Sequence, residues 1–239
     1  MYKGIYIALS GAILKQMQMD NISEDLSNVN TPGFKKDGLS FRDYLVNPSA
    51  AGLPQEERDM STLSKEKTDF SEGSVFETSN SLDLCIEGRG FIALDGNRYT
   101  KRGDLKLTSD GFLTTANGIK VLGQKGPVKI NMQQGQGAIK IDSEGGIYVD
   151  GDKVDNLKVV DLPDTATLVK MGSGIFYSNG AVVKSDATVK QGYLEASNVD
   201  IVKEMVRMID ALREYETYQK TIQTFDQAAG LVAGSMAKF

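Results

Sequence analysis

The chain has 239 residues, of which 40% are hydrophobic and 25% charged, and its net charge is -5. This composition predicts a folded protein of one large or two small domains and gives no electrostatic reason to expect nucleic acid. Histidine is absent and cysteine occurs once, so the usual general base, the commonest metal ligand and any intramolecular disulfide are excluded. We expect no enzyme active site, no metal, no cofactor and no small-molecule substrate, since no nucleophile in the chain has a recognisable base or elbow around it and no cofactor motif is complete.

The first predicted element is a helix over residues 2–29. Its side chains recur at alternating steps of three and four residues, the pattern of a coiled-coil seam, at Tyr2, Ile5, Leu9, Ala12, Gln16 and Met19. The apolar residues that widen this stripe are Ile13, Ile22 and Leu26. Pro32 and Gly33 end the helix, because proline cannot continue one and Pro-Gly suits a type II turn.

The middle of the chain changes character twice. Residues 34–46 predict a short extended or helical arm, and the polar, proline-containing residues 47–72 predict a linker or mobile loop. Over residues 73–192 apolar side chains alternate with polar ones, and Asp-Gly or Asn-Gly pairs recur at short intervals. Such pairs between alternating runs are typical of β-hairpins, so we expect a mainly antiparallel β-domain.

The last predicted element is a second helix that runs to about residue 229. Ser197 or Asn198 is a suitable N-cap, and Asp200 in the first turn complements the helix dipole. Its apolar stripe has the spacing of the first helix, at Ile201, Met205, Met208, Leu212, Tyr215, Gln219 and Ile222. The residues that widen this stripe are Val202, Ile209 and Phe225.

These elements predict an α+β fold in which the N- and C-terminal helices pair as a coiled-coil-like domain around an inserted β-domain. The expected domains are residues 1–46 with 193–239, a linker at 47–72, and a β-rich domain at 73–192. An apolar stripe is commonly core packing within one molecule. Two helices cannot cover faces this wide, however, and large exposed apolar patches mark interfaces. Gln16 and Gln219 are polar positions of the kind that fixes register between helices.

Other motifs point to ordinary structure. The Gly88-Arg89-Gly90 run lacks the third glycine and the following helix of a dinucleotide site. The acidic residues at 142, 144, 150 and 152 do not have EF-hand spacing and suit turns. Cys85 lies in an apolar run and is expected to be a buried thiol. The chain has no apolar run long enough to span a bilayer and no recognisable secretory signal at its start.

Four strings resemble the bacterial flagellar rod and hook protein family. They are SEDLSNVNTPGFK at residues 23–35, LDLCIEGRGF at 82–91, YTKRG with DGFL between 99 and 113, and GYLEASNVD at 192–200. The matches occur in the family's order and cover both ends and the middle of the chain. The opening at residues 2–11 and the ending at 221–226 are most similar to the proximal rod members, with the distal rod members next.

The resemblance implies a structural subunit of the basal-body rod in the periplasm. The terminal helices would form the inner layer of a tube around the export channel, and the β-domain the outer layer. It also implies export by the flagellar type III apparatus without a cleaved signal, and partners that are further copies and other rod subunits. The expected assembly interface adds Asn28, Asn30, Phe34 and Asn198 to the two stripes.

Two rival functions stay open from the sequence. In one, the β-domain is a binding module for peptidoglycan or a rod component, and the helices only dimerise it. In the other, the protein is an enzyme that acts on the cell wall, although no catalytic constellation supports this. A distal rod position is the alternative within the family.

Overall fold

The structure is a computed structural model that describes residues 2–44, 60–131, 138–163 and 168–236. Its elements in chain order are α1 (Tyr2–Ser27), β1 (Asp37–Tyr44), β2 (Met60–Thr68), β3 (Val75–Glu77), β4 (Leu84–Glu87), β5 (Phe91–Leu94), β6 (Arg98–Thr100), β7 (Lys106–Leu107), β8 (Leu113–Thr114), β9 (Ile139–Ile141), β10 (Gly146–Val149), β11 (Asp152–Asn156), β12 (Val159–Asp161), β13 (Val169–Lys170), β14 (Ile175–Tyr177), β15 (Val183–Lys184), β16 (Thr188–Gln191), β17 (Tyr193–Glu195) and α2 (Ile201–Met236). The chain divides into two compact units. The helical unit contains α1, β1, β2 and α2, and the β-unit contains β3–β17 with residues 28–36.

The two helices of the helical unit pack against each other in antiparallel directions. A Cβ atom placed on Gly4 would lie 2.8 Å from Cζ of Phe225, and one placed on Gly11 would lie 2.5 Å from Cζ of Tyr218. Along the common axis of the pair, residue numbers therefore decrease in α2 in the direction in which they increase in α1. Because glycine has no side chain, these positions allow the aromatic rings to approach the α1 backbone closely. The terminal helices thus lie against each other, and a coiled-coil geometry stays a prediction.

The helical unit also contains a β-hairpin. β1 and β2 pair in antiparallel register from Asp37 opposite Thr68 to Tyr44 opposite Met60, with an irregularity after Ser40. The extended form of the predicted arm at residues 34–46 is therefore present from Asp37. The loop expected over residues 47–72 instead holds β2, and residues 47–59 lie outside the described residues. The residues of β2 are mostly polar and show no alternating apolar pattern. The strand is instead supported by its backbone pairing with β1.

Antiparallel sheets make up the β-unit, as predicted. The largest has six strands in the order β13-β14-β6-β5-β12-β15, and a three-stranded sheet has the order β11-β10-β9. Asn97 and Asp150 have φ angles of 55° and 52°, in the left-handed region that Asn, Asp and Gly tolerate best. They belong to the tight turns between β5 and β6 and between β10 and β11. The hairpins predicted from Asp-Gly and Gly-Asn at these places are confirmed.

The interior of the β-unit has two apolar clusters. Ile92, Val121 and Ile147 are fully buried in the larger one, which draws on β4, β5, β8, β9, β10, β14 and β16. The smaller one is aromatic: the rings of Phe91 and Phe176 have centroids 5.9 Å apart, and Phe70 contacts both. Apolar residues on short strands thus form two packed clusters inside the β-unit.

The start of α2 differs from the sequence prediction. Asp200 is the N-cap, because its Oδ1 accepts hydrogen bonds from the backbone N–H groups of Val202 and Lys203 at 3.1 and 3.2 Å. These backbone donors, that of Lys203 foremost, lower the pKa of the Asp200 carboxyl group. The expected caps do not serve: the side chain of Asn198 instead accepts from the backbone of Lys36 at 2.9 Å. α2 also continues beyond the expected end at residue 229, to Met236.

Candidate assembly surface

The face of α1 that contacts α2 contains several small residues. Gly4 and Gly11 lie against aromatic rings, Ala8 is buried, and Lys15 forms an ion pair with Glu214. On α2 the buried Ala211 belongs to the same side as the two rings. Sequence reasoning singled out the large apolar residues and missed the glycines. The two glycines are seven residues apart and therefore lie on the same side of the helix, which is the sequence feature that could have identified this face.

Some of the predicted stripe residues are buried or half-buried, and the others are exposed to solvent. On α1, Ala12 is buried, Ile5, Met19 and Leu26 are half-buried, and Leu9 and Gln16 are exposed. On α2, Met208, Tyr215 and Ile222 are half-buried, whereas Ile201, Met205, Leu212 and Gln219 are exposed. Gln16 donates a hydrogen bond to Asp20 at 3.1 Å on its own helix. Within one chain, therefore, the two glutamines do not fix the register of the helix pair.

The side of α1 that faces away from α2 presents an apolar surface, which we call the α1 outer patch. It consists of Tyr6, Leu9, Ile13 and Met17, whose exposed fractions range from 38% to 61%. Helical periodicity places them opposite Gly4 and Gly11. The exposed Asp20 and Glu24 continue this side of the helix. The α1 outer patch thus ends after three turns.

The side of α2 that faces away from α1 presents a second apolar surface, the α2 outer patch. Its members are exposed by 46% to 71% and are Val202, Met205, Val206, Ile209 and Leu212. They lie opposite Tyr218 and Phe225 by helical periodicity. Beyond Leu212 this side continues with the exposed Glu216, Lys220 and Gln223. The patch is therefore confined to the first three turns of α2.

A buried polar network in the β-unit joins three distant segments. Nζ of Lys35 donates to the backbone oxygen of Ser71 at 2.7 Å and to Oε1 of Glu195 at 2.5 Å. The same carboxylate oxygen accepts from the backbone of Gly73 at 2.9 Å, and the carbonyl of Glu195 accepts from Gly33 N–H at 2.7 Å. A buried charge needs a partner and hydrogen bonds to offset its desolvation. The network therefore holds residues 33–35 against residues 71–73 and β17.

The remaining predicted site residues lie around this network. Phe34 is buried and its carbonyl accepts from the backbone of Asn198, whose side chain also donates to Ser71. Asn28 is half-buried and accepts from both the backbone and the hydroxyl of Thr31. Asn30 is exposed. Phe34 and Asn198 are thus brought together inside the β-unit, a pairing that residue spacing alone did not indicate.

Two further titratable groups lie near Glu195. Burial lowers the pKa of the Lys101 ammonium group, which donates to the carbonyl of Gly88 at 2.7 Å, although the Glu195 carboxylate acts in the opposite direction. Burial also raises the pKa of the Cys85 thiol to about 11, and the carboxylate of Glu195 adds to this. Cys85 is 1% exposed, which confirms the predicted buried thiol. A thiol with a raised pKa is a poor nucleophile at neutral pH.

The described residues contain no group of three or more Asp, Glu or Cys side chains able to hold a metal ion. Among the described helices, none has the length and apolar character needed to cross a bilayer. Asp142, one of the acidic turn residues, accepts hydrogen bonds from the backbones of Glu144 and Gly146. The carboxylate of Asp142 therefore stabilises the turn through backbone hydrogen bonds.

Paired terminal helices with exposed apolar outer sides, together with a β-unit that has its own core, are typical of a structural subunit that assembles. Comparison with known families agrees. Residues 190–233 match the flagellar basal body rod FlgEFG protein C-terminal family, and residues 85–149 match the flagellar hook protein FlgE/F/G D1 domain family.

Curated relatives match nearly the whole chain. The flagellar basal-body rod protein FlgG of Borreliella burgdorferi is 31% identical over an alignment 261 residues long, which covers 97% of both chains. FlgG of Bacillus subtilis is 29% identical over 255 residues, covering 95% of this chain and 96% of the relative. The flagellar basal-body rod protein FlgF of Caulobacter vibrioides is 28% identical over 228 residues, covering 92% of each. The chain belongs to the flagellar basal-body rod protein family, which is structural and not enzymatic, and it is a subunit of the flagellar rod.

Proposed function

We propose that the chain is a subunit of the proximal rod and that its terminal helices build the inner layer of a helical tube. The observation that carries this proposal is the pair of apolar outer patches on α1 and α2, which the described residues leave exposed. Burial of apolar surface stabilises association by about 25 cal/mol per Å² before the costs of binding are deducted. The β-unit, which has its own core, forms the outer layer.

Ordering of the helices is coupled to this assembly. Fixing a residue's backbone costs about 1–2 kcal/mol, so a long helix that buries one face only gains little from folding alone. Contact with neighbouring subunits buries the outer patches and offsets that cost. The free subunit is therefore expected to be less helical than the assembled one. A tube made in this way transmits torque and leaves an axial channel for exported proteins.

The proximal position is supported by the lengths of the alignments. The alignment with FlgG of Borreliella burgdorferi runs over 261 residues, more than the 239 of this chain, so that relative contains additional segments. The alignment with FlgF of Caulobacter vibrioides runs over 228 residues, within the length of this chain. The opening at residues 2–11 favours the same position.

The distal rod is the second candidate, and sequence identity favours it. The two FlgG relatives are 31% and 29% identical, against 28% for FlgF. Both positions require the subunit to reach the periplasm through the flagellar type III export apparatus. They also require contacts with other rod subunits.

Deletion of the gene in its own bacterium, followed by purification of basal bodies, tests the proposal. A rod subunit is present in wild-type basal bodies, and its loss abolishes motility until the gene is restored. Loss of a proximal subunit also prevents incorporation of the distal subunits, whereas loss of a distal subunit leaves the proximal ones in place. Motile deletion cells, or basal bodies without the chain, would refute a role in the rod.

A further inference from the structure

We propose that neighbouring copies of this chain pack side by side, with the α2 outer patch of one copy on the α1 outer patch of the next, and that each copy is displaced along the helix axis by about 16 Å, the rise of about eleven α-helical residues. The inference rests on the proposed function and specifies the partner and the geometry of its contact. It follows from where the two patches lie along one helix pair.

The register of α1 against α2 fixes the height of each patch. Gly11 lies at the level of Tyr218, and Lys15 at the level of Glu214. Antiparallel continuation of this register puts Leu9 level with Lys220 and Ile209 level with residue 20. The centres of the two outer patches are therefore separated by about eleven residues along the helix axis, which is about 16 Å at a rise of about 1.5 Å per residue.

The two patches cannot cover each other within one chain. Each faces away from the partner helix, so they lie on opposite sides of the helix pair as well as at different heights. The α1 outer patch ends where Asp20 and Glu24 begin, and the α2 outer patch ends where Glu216 begins. The two patches are level only at their ends, at Met17 and Leu212, and otherwise the far side of the pair at the level of each patch is polar.

A second copy of the same chain supplies the matching surface. Each patch spans about three helical turns, residues 6–17 on α1 and 202–212 on α2, so one can cover the other over its whole length. The helices in contact would be antiparallel, as they are within the chain. Contact of two α1 outer patches would instead leave both α2 outer patches exposed to water.

The displacement determines the symmetry of the assembly. Contact between two different surfaces is heterologous, and it closes into a ring only when successive copies return to the same height. Where the helices run along the axis of the assembly, a shift at every contact prevents such closure. The helical unit alone therefore encodes an open, helical arrangement of subunits.

Cysteine cross-linking in purified basal bodies measures the displacement. In a Cys85→Ala background, one strain produces the chain with Leu9→Cys and Ile209→Cys, and a matched strain produces it with Leu9→Cys and Lys220→Cys. Because a disulfide requires Cα atoms within about 7 Å, we expect roughly tenfold more dimers and higher multimers from the first pair. Ile13→Cys with Met205→Cys tests the same displacement at a second position.

The outcomes separate this inference from the proposed function. Stronger cross-linking through Lys220 would mean that neighbours are level and would overturn the displacement. Dimers of a chain with Leu9→Cys alone would overturn the heterologous contact. The same conclusion would follow if the Leu9→Cys, Ile209→Cys chain and the Ile13→Cys, Met205→Cys chain both entered basal bodies without forming any cross-link. Absence of the unmodified chain from basal bodies would instead refute its role in the rod.

Discussion

Lys35 and Glu195 are 160 positions apart in the chain and form an ion pair with 2.5 Å between Nζ and Oε1. Their side chains are 0% and 3% exposed. Lys35 follows α1 by a few residues, and Glu195 ends the last strand before α2. The segments that lead to the two terminal helices are thus fastened to each other inside the β-unit.

Removal of one member of this pair is expected to destabilise the protein strongly. Glu195→Ala leaves the Lys35 ammonium group buried without its carboxylate, and such a loss costs about 3–5 kcal/mol. Urea unfolding of the purified chain, followed by the signal of the β-unit, measures it. Glu77→Ala, an exposed strand position, is the control and should change the free energy of unfolding by less than about 0.5 kcal/mol.

Replacement of both members tests whether the cost arises from the unpaired charge. In a chain with Lys35→Met and Glu195→Leu no buried charge is left, so we expect a large part of the lost stability to return. A double variant as unstable as the sum of its single variants would show that the hydrogen bonds to Ser71 and Gly73 matter more than the charges.

Enlargement of a glycine in α1 is expected to disrupt the helix pair. Gly11→Leu puts a side chain where the ring of Tyr218 lies, and overpacking of this kind costs about 1–3 kcal/mol. Circular dichroism should show reduced helix and a lower midpoint for loss of the helical signal. Gly230→Leu is the matched control, since a Cβ there meets nothing within 4 Å and leucine favours helix over glycine. Equal effects of the two substitutions would contradict the observed packing.

Ionisation of Cys85 should make stability depend on pH in the alkaline range. Its pKa is raised from 9.0 to about 11 in the folded chain, so between these values the unfolded chain releases the proton first. The free energy of unfolding of the wild type, measured relative to Cys85→Ala, is therefore unaffected below pH 9 and falls as the pH rises. The fall is about 2 kcal/mol at about pH 10.5. Parallel curves for the two proteins up to that pH would contradict a buried, protonated thiol.

The features predictable from the sequence are those with local signals. The steps of three and four residues in the terminal segments predicted both helices, and the turn residues near Asn97 and Asp150 predicted hairpins. β2 was missed because its residues are polar and its pairing with β1 is not local. Asp200 was predicted to lie in the first turn of α2 and is instead its N-cap, since several residues there are good caps and only the backbone path distinguishes them.

The candidate site was predictable only in part for a similar reason. Periodicity identifies which residues share a side of a helix but does not say which side meets the partner helix. Leu9 and Leu212 were assigned to a seam, whereas small residues such as Gly11 form the contact within the chain. The pairing of Lys35 with Glu195 depends on the path of the chain through the β-unit, which no spacing rule reveals.

The outer patches lead to the most direct prediction about assembly. Leu9→Asp or Leu212→Asp should abolish incorporation into basal bodies and motility, because a subunit contact would bury an unpaired carboxylate at a cost of several kcal/mol. Both leucines are almost half exposed in the single chain, at 45% and 46%, so the purified variants should unfold at nearly the wild-type urea concentration. Gln223→Asp adds the same charge to the outer side of α2 beyond the patch and should remain motile. Normal motility of both leucine variants would exclude the outer patches as subunit contacts, and loss of motility in the Gln223 variant would show that charge alone disturbs assembly.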